Sequence, residues 1–336
     1  MEESLSAYHL RYTIQATEPL ELEQHPGSAL RGTLFQALLN GFCMNKAAPE
    51  CAMCPLVQTC PVSALVAPLR EEHPRGRDLP RPFVVRPPMI AAASETGGLR
   101  LEPGQQVTFG LTLIGRAGKL FPYVVLAAPG MERNGLGRAL REHRWRRGRF
   151  SVERIEAVHP FTGVQVPLFV RGVQQVRSPE LAITAADVAK RAAALPDGVL
   201  SLRFLTPTQL TAEKTLLSRP EARPLLRRLA ERMDALEREY APAQALPTSE
   251  AASAVGRWYA VAETASLQLT NCDVRWVDAE SYSNRQRRML PIGGFVGTAT
   301  YTGEMPPALR ELLVWGEVLH VGKNCVKGDG WYQIEA

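Results

Sequence analysis

Apolar and polar residues alternate along the first half of the chain in a pattern that predicts one compact mixed unit. Period-two alternation and short apolar runs predict strands at 8–16, 83–85, 106–114 and 150–158. Apolar residues recur at helical spacing after Ser28, from Leu30 to Phe42, and a second apolar segment at 120–128 stops before Pro129. The resulting order of strand, helix, strand, strand, helix and strand is that of a ferredoxin-like unit.

The second half of the chain repeats this order in outline. Strands are predicted at 199–205, near 274–277, at 295–301 and at 331–334. An amphipathic helix runs through Leu225 and Leu236, and Pro307 begins a second helix whose last turn contains His320. The second half is therefore predicted to form a ferredoxin-like unit of its own.

A turn sequence separates the two halves. The alanine-rich helical segment at 185–195 ends at Pro196-Asp197-Gly198, which we take as the boundary. We predict an α+β protein with two tandem ferredoxin-like (RRM-like) domains, at 1–195 and 196–336.

Four cysteines interrupt the first unit within residues 43–82, which also hold seven prolines and a charged stretch, so we interpret this segment as a Cys-rich insertion. Cys43, Cys51, Cys54 and Cys60 follow the spacing C-x7-C-x2-C-x5-C. Four thiolates this close in sequence can surround one ion tetrahedrally, and structural zinc is the interpretation we favour. An iron–sulfur cluster is the second interpretation, because Pro61 follows the last cysteine as in ferredoxin-type runs, and free buried thiols are the third.

Composition narrows the class of protein. The 336 residues are 45% hydrophobic and 22% charged, as in ordinary globular domains. No apolar run approaches the length that spans a bilayer, and the first residues, MEESLSAYHL, lack a secretory signal. We expect a soluble cytoplasmic protein with no membrane partner.

Positive charge is concentrated in one segment, although the net charge is only +5. Residues 133–149 contain seven arginines: Arg133, Arg138, Arg141, Arg144, Arg146, Arg147 and Arg149. Guanidinium groups bind phosphate bidentately, while His143 and Trp145 offer faces on which bases could stack. Nucleic-acid contact is the prediction, and an ordinary solvated loop is the alternative.

A glycine-rich loop follows the last predicted helix. Residues 322–332 contain three glycines together with Lys323 and Lys327, which could hold a phosphate with the help of loop amides. An ordinary helix cap followed by a hairpin is the alternative.

Three motifs resemble a known family. The runs at 274–286, 291–297 and 316–324 are similar to CRISPR-associated endoribonucleases that process precursor CRISPR RNA, which belong to the RAMP superfamily. The resemblance covers most of the chain. This sequence departs from the family at Gln36, where some relatives carry a histidine, and at Asp329, an acid inside the final glycine-rich loop.

The resemblance implies a metal-independent endoribonuclease that uses no cofactor for catalysis. A ribose 2′-OH would attack the adjacent phosphate, leaving a 2′,3′-cyclic phosphate and a 5′-OH. The expected partners are CRISPR repeat RNA, the mature crRNA and other subunits of a CRISPR effector complex. The alternative is a non-catalytic RAMP subunit that binds crRNA in such a complex.

The candidate catalytic residues are His25, His320, Lys323 and Tyr282. His25 precedes the first helix and is the candidate base, His320 is a candidate acid, and Lys323 could hold the scissile phosphate. A surface turn, a helix cap and core packing are the structural alternatives for His25, His320 and Tyr282. The candidate RNA-binding residues are Arg31, Arg138, Arg141, Arg144, Arg146, Arg147, Arg149, Arg285, Arg287, Arg288 and Lys327.

Overall fold

The computed structural model describes residues 4–69, 79–90, 98–173, 175–242, 256–283 and 288–335. The chain forms two compact units. Ser6–Ala182 makes up the N-terminal unit, and Ile183–Ala336 makes up most of the C-terminal unit.

The N-terminal unit is built on a five-stranded antiparallel sheet. The strands of the whole unit, which also form smaller two-stranded sheets, are β1 (Ala7–Ala16), β2 (Leu20–Glu23), β3 (Phe83–Arg86), β4 (Gly98–Leu101), β5 (Gln106–Ile114), β6 (Leu136–Leu140), β7 (Arg146–Gly148), β8 (Phe150–Val158) and β9 (Gln165–Val170). Its helices are α1 (Gly27–Phe42), α2 (Pro61–Val66), α3 (Phe121–Leu126) and α4 (Ala128–Asn134). The main sheet has the order β3-β5-β1-β8-β9, which is the ferredoxin-like order with one strand added at the edge.

Alternation along β1 builds the core of this unit. Leu10, Tyr12 and Ile14 are buried, and the Tyr12 ring stacks on Phe109 of β5 at 4.8 Å between centroids. The buried face of α1 includes Leu30 and Leu34, at the helical spacing that the sequence predicts.

The helical segment predicted to stop before Pro129 forms α3, which ends at Leu126. The chain begins a new helix, α4, which places Pro129 in its first turn. A proline there costs no hydrogen bond, because the first amides of a helix have no partner within the helix. Gly130 of α4 faces Ala37 of α1, where a Cβ on Gly130 would lie 2.9 Å from the Ala37 Cβ, so the two helices pack closely.

The C-terminal unit is built on a four-stranded sheet. The strands of the whole unit, which also form two smaller two-stranded sheets, are β10 (Val199–Thr208), β11 (Leu210–Ala212), β12 (Thr215–Leu217), β13 (Gln268–Val277), β14 (Glu280–Ser283), β15 (Arg288–Pro291), β16 (Gly294–Thr302) and β17 (Tyr332–Glu335). Its helices are α5 (Ala185–Ala193), α6 (Ala222–Tyr240), α7 (Arg257–Thr264) and α8 (Pro307–Leu319). The sheet order β13-β16-β10-β17 is again ferredoxin-like, which confirms the predicted α+β fold with two tandem units.

Helix α5 packs on α8 and so belongs to the C-terminal unit. The two units therefore divide after Ala182, ahead of the boundary expected at 195/196. The turn at Pro196-Asp197-Gly198 ends the connection from α5 to β10 within the second unit.

The cysteine-containing segment lies in the connection between α1 and β3. It holds a short 3-10 turn, Cys51–Met53, and the helix α2. Residues 70–78 of the expected insertion lie outside the described residues. Among the described helices, none is long and apolar enough to cross a membrane.

Candidate functional site

The glycine-rich loop begins where α8 ends. The helix stops at Leu319, so His320 follows the helix and does not lie in its last turn as predicted. Its φ of 62° turns the chain away from the helix axis. Arg232 of α6 donates from Nε to the Leu319 carbonyl at 2.9 Å, so an arginine caps this helix end. Val321 then donates its N–H to the carbonyl of Gly330 at 2.9 Å, which closes the loop at its base.

Thr206 near the end of β10 fixes the far side of the loop. Its buried hydroxyl donates to the Gly328 carbonyl at 2.8 Å and accepts the N–H of Trp331 at 2.9 Å. The Lys323 N–H donates to the carbonyl of Gln209 at 3.2 Å. The loop is therefore held in one conformation by the end of a core strand, as a binding loop requires. Sequence reasoning missed Thr206, whose partners Gly328 and Trp331 are distant in sequence.

His320 is fully buried, with 0% of its surface exposed. Its ring is parallel to that of Trp331, with centroids 6.0 Å apart, and Nδ1 lies 3.2 Å from the Asp329 carbonyl. A carbonyl oxygen only accepts, so this hydrogen bond requires a proton on Nδ1. The geometry makes His320 a support for the loop and argues against direct contact with a substrate.

Asp329, the acid that departs from the family pattern, is also buried, with 4% of its surface exposed. Burial raises the pKa of its carboxyl to about 8, and the charge of Lys327 and a hydrogen bond from Asn324 offset only part of that rise. Asp329 is therefore mostly protonated at neutral pH and adds little negative charge to the loop.

The two lysines of the loop have different surroundings. Lys323 is exposed, and its ammonium group contacts no polar partner among the described residues. Lys327 is half-buried and donates to the hydroxyl of Ser281, on β14, at 3.3 Å. Lys323 is thus the cation that this loop offers to an anion in solution.

Tyr282 lies next to Ser281 on β14, where its backbone pairs with Met289 of β15. The side chain of Tyr282 lies outside the described part of the structure, as do Arg285 and Arg287 altogether. Arg288 begins β15 and is exposed.

His25 and Arg31 lie at the start of α1 in the N-terminal unit. His25 is half-buried and comes two residues before the helix begins, as predicted. Arg31 lies in the first turns of the helix, with its guanidinium 5.5 Å from the centre of the Phe35 ring. Burial, and then the positive charge of Arg81, lower the pKa of Arg31 to about 10, so it remains a cation at neutral pH.

No described carboxylate pairs with Arg31, and its side chain makes no hydrogen bond to a described residue. A partly buried guanidinium beside a second positive charge is a favourable position for a phosphate. Sequence reasoning missed the contribution of Arg81, which is distant in sequence and comes close only in the fold.

The arginine-rich segment forms a hairpin, not an irregular loop. Strands β6 and β7 pair from Leu136 with Gly148 to Leu140 with Arg146. At the tip, Arg144 and Trp145 both adopt left-handed conformations, and 73% of the Trp145 surface is exposed. His143 lies 2.9 Å, through Nε2, from the Pro19 carbonyl and so anchors the hairpin, and only 13% of its side chain is exposed.

The hairpin arginines differ in their partners. Arg138 is paired with Glu21 at 2.9 Å, and Arg146 donates to the His143 carbonyl at 3.2 Å. The remaining arginines of this hairpin are exposed, and their side chains have no ion-pair or hydrogen-bond partner among the described residues: Arg141, Arg144, Arg147 and Arg149. These four guanidinium groups can bind phosphate without first breaking an internal ion pair.

The cysteines Cys43, Cys51, Cys54 and Cys60 line one cavity of about 370 Å³ at the end of α1. Among the described residues, no three His, Cys, Asp or Glu side chains are gathered closely enough to hold a metal ion as they stand. The predicted structural zinc is therefore not shown by the side-chain arrangement.

Comparisons with known proteins agree with this fold. Residues 5–181 match the family model AF_1859_N, described as an N-terminal domain, and residues 202–332 match the model of the CRISPR-associated endoribonuclease Cas6 family. No curated protein is similar enough in sequence to count as a match.

Two solved structures show the shared fold. A partial Cas6-RT-Cas1–Cas2 complex is similar with a TM-score of 0.56 and 12% identity, over 99% of this chain and 46% of that chain. A Thermus thermophilus Cas6 product complex is similar with a TM-score of 0.53 and 17% identity, over 98% of this chain and 99% of that chain. The chain spans less than half the length of the first of these proteins.

Tandem ferredoxin-like units are the fold that this chain shares with the Cas6 product complex. The AF_1859_N model covers more than half of the chain, and the Cas6 model covers most of the second unit. The chain therefore belongs to the family defined by the AF_1859_N domain, and its second unit is similar to the CRISPR-associated endoribonuclease Cas6.

Proposed function

We propose that this chain binds CRISPR repeat RNA and cleaves precursor CRISPR RNA within the repeat. The observation that carries the proposal is the match of residues 202–332 to the Cas6 endoribonuclease model, because this range contains β10, α8 and the glycine-rich loop. The unpaired arginines of the β6–β7 hairpin support it independently, since they form an exposed cationic surface suited to a phosphate backbone.

The proposed reaction is attack of a ribose 2′-OH on the adjacent phosphate, without a metal ion. A base takes the 2′-OH proton, the 2′-oxygen forms a bond to phosphorus, and the bond to the 5′-oxygen breaks as that oxygen takes a proton from water. The products are a 2′,3′-cyclic phosphate and a 5′-OH. We assign the role of the base to His25, because it lies half-buried just before α1 and an imidazole is the commonest general base in enzymes.

Positive charge stabilises the phosphate in the transition state. We assign this role to Arg31, which has no described acidic partner. Lys323, which the glycine-rich loop of the other unit holds at an exposed position, is assigned to binding of the RNA backbone. Because His320 is buried against Trp331, we assign it the positioning of that loop and not proton transfer.

The first test is cleavage of labelled repeat RNA in EDTA, beside a substrate with a 2′-deoxyribose at the cleavage site. Cleavage of the first RNA and not the second is expected. His25→Ala should slow cleavage by roughly 10²- to 10⁴-fold with little change in RNA affinity. His9→Gln serves as the control, because His9 is buried on β1 with Nδ1 3.1 Å from the Thr112 hydroxyl and has no proposed role.

A non-catalytic RAMP subunit is the second candidate function, and the complete burial of His320 favours it, since one of the two candidate histidines is withdrawn from solvent. Tight RNA binding without cleavage of either substrate would establish this function and overturn the first. For either function we propose crRNA and other CRISPR effector subunits as partners.

A further inference from the structure

The segment from Cys43 to Cys60 holds its shape without a hydrophobic core. None of these residues is buried, and the segment contains no strand and only the single 3-10 turn at Cys51–Met53. Its larger apolar side chains face solvent: Met44 is 86% exposed, Met53 69% and Leu56 45%. A segment that buries so little apolar surface needs another source of stability, and in small protein elements this is a disulfide or a metal ion.

The residues that do turn inward include all four cysteines. They line a single cavity of about 370 Å³ together with residues from the end of α1. The lining of this one cavity therefore contains all four thiols.

The backbone presents these thiols from three places. Cys43 caps the C-terminus of α1, with its N–H donating to the Leu39 carbonyl at 3.1 Å. Cys51 and Cys54 flank a tight turn, closed by the Cys54 N–H and the Cys51 carbonyl at 3.1 Å, which is the local geometry that a C-x2-C pair needs to bind one ion. Cys60 is the N-cap residue of α2, where its carbonyl accepts the Ala64 N–H at 2.9 Å.

We propose that these four cysteines bind one Zn²⁺ that ties the end of α1 to the start of α2. Binding forms four Zn–S bonds at about 2.3 Å each, and each thiol releases its proton to solvent, so the side chains must close in from their present spacing around the cavity. An iron–sulfur cluster fits less well, because the spacing x7, x2 and x5 differs from that of ferredoxin-type runs. The role is structural, and the proposal does not depend on RNA cleavage.

The test measures metal content and thiol protection in the full-length protein. Protein purified without chelator is incubated with ZnSO₄, freed of excess metal by gel filtration and examined by elemental mass spectrometry. We expect roughly one zinc per chain. Alkylation followed by peptide mass spectrometry should show that zinc protects Cys43, Cys51, Cys54 and Cys60, whereas labelling of Cys272, on β13 in the other unit, should not change.

Variants provide a second readout. The double variant Cys51→Ser with Cys54→Ser should lose the bound zinc, and Cys272→Ser should keep it. Wild-type protein that retains no zinc, or whose four cysteines react equally with and without zinc, would overturn the proposal. Iron with acid-labile sulfide in place of zinc would also overturn it. Because protection is measured on the wild-type chain, the result does not depend on whether the double variant folds.

Discussion

Replacing Arg141, Arg144 and Arg147 with glutamine is expected to lower the salt dependence of RNA binding. All three are exposed on the β6–β7 hairpin, and none has a described acidic partner. In solution such guanidinium groups are balanced by mobile ions. When RNA binds, they neutralise phosphates, counterions leave the RNA, and the affinity falls as salt is raised.

The expected size follows from the number of cations. Each phosphate that is neutralised contributes a slope of about 0.7 to 0.9 to a plot of log affinity against log salt concentration. Removing three contacts should therefore lower the slope by about 2 to 3. For a rise in salt from about 50 to about 200 mM, a difference of about 2 in slope means that the wild type loses roughly 16-fold more affinity than the variant.

The assay is fluorescence anisotropy with labelled repeat RNA over a series of KCl concentrations. The matched control replaces three arginines that already bind carboxylates: Arg223 and Arg227, which share Glu263 on α7, and Arg257, bound to Glu237 at 2.9 Å. This control removes the same formal charge but should leave the slope nearly unchanged. An equal decrease in both variants would show that net charge matters and not the hairpin, and no decrease in the hairpin variant would refute its assignment as an RNA-binding surface.

Three further predictions concern the glycine-rich loop. Asp329→Asn should flatten the pH dependence of the free energy of unfolding. Burial raises the folded-state pKa of Asp329 from 3.8 to about 8, so the folded wild type binds more protons than the unfolded chain and loses stability as pH rises across that window. Urea unfolding at several pH values measures this, and equal pH slopes for the variant and the wild type would contradict it. Gly330→Ala should destabilise the protein by roughly 2 kcal/mol more than Gly163→Ala. Both glycines have φ +73°, but only at Gly330 would a Cβ collide with the Val321 carbonyl. Similar urea midpoints for the two variants would contradict this. Thr206→Val should lower the free energy of unfolding by about 1 to 3 kcal/mol, because two buried hydrogen bonds are lost. Thr206→Ser keeps the hydroxyl and should retain most of that stability in the same assay. Equal destabilisation by both variants would point to packing alone.

The fold could be predicted from the sequence where apolar residues alternate with polar residues or glycine. Strands β5 and β8 match the predicted 106–114 and 150–158 on this pattern, although residues 109–114 of β5 are all buried. Strands whose side chains are mostly polar and exposed show no such alternation in the sequence. The early part of β13 is mostly exposed, and the hairpin β14–β15 has only one buried described side chain, Ser281, so neither was predicted.

The arginine-rich segment shows a different limit of sequence reasoning. Its composition correctly indicated a cationic surface, but it did not reveal that Arg138 is already paired with Glu21 and that His143 anchors the hairpin to the chain near β2. Those partners are distant in sequence and meet only through the fold. The sequence therefore predicts where the positive charge is, and the structure decides which part of it is available to a ligand.

The chemical state of the loop residues depends on burial in the same way. From sequence, Asp329 is an acid that would repel a phosphate, and His320 is a titratable group that could transfer a proton. In the structure, burial raises the pKa of Asp329 to about 8 and so removes most of its charge at neutral pH, and burial also withdraws His320 from solvent. The departure from the family pattern at Asp329 thus leaves the positive charge of Lys323 unopposed at neutral pH. A loop that differs from its relatives by one acid can keep the electrostatics that binding of RNA requires, because the fold determines whether that acid is ionised.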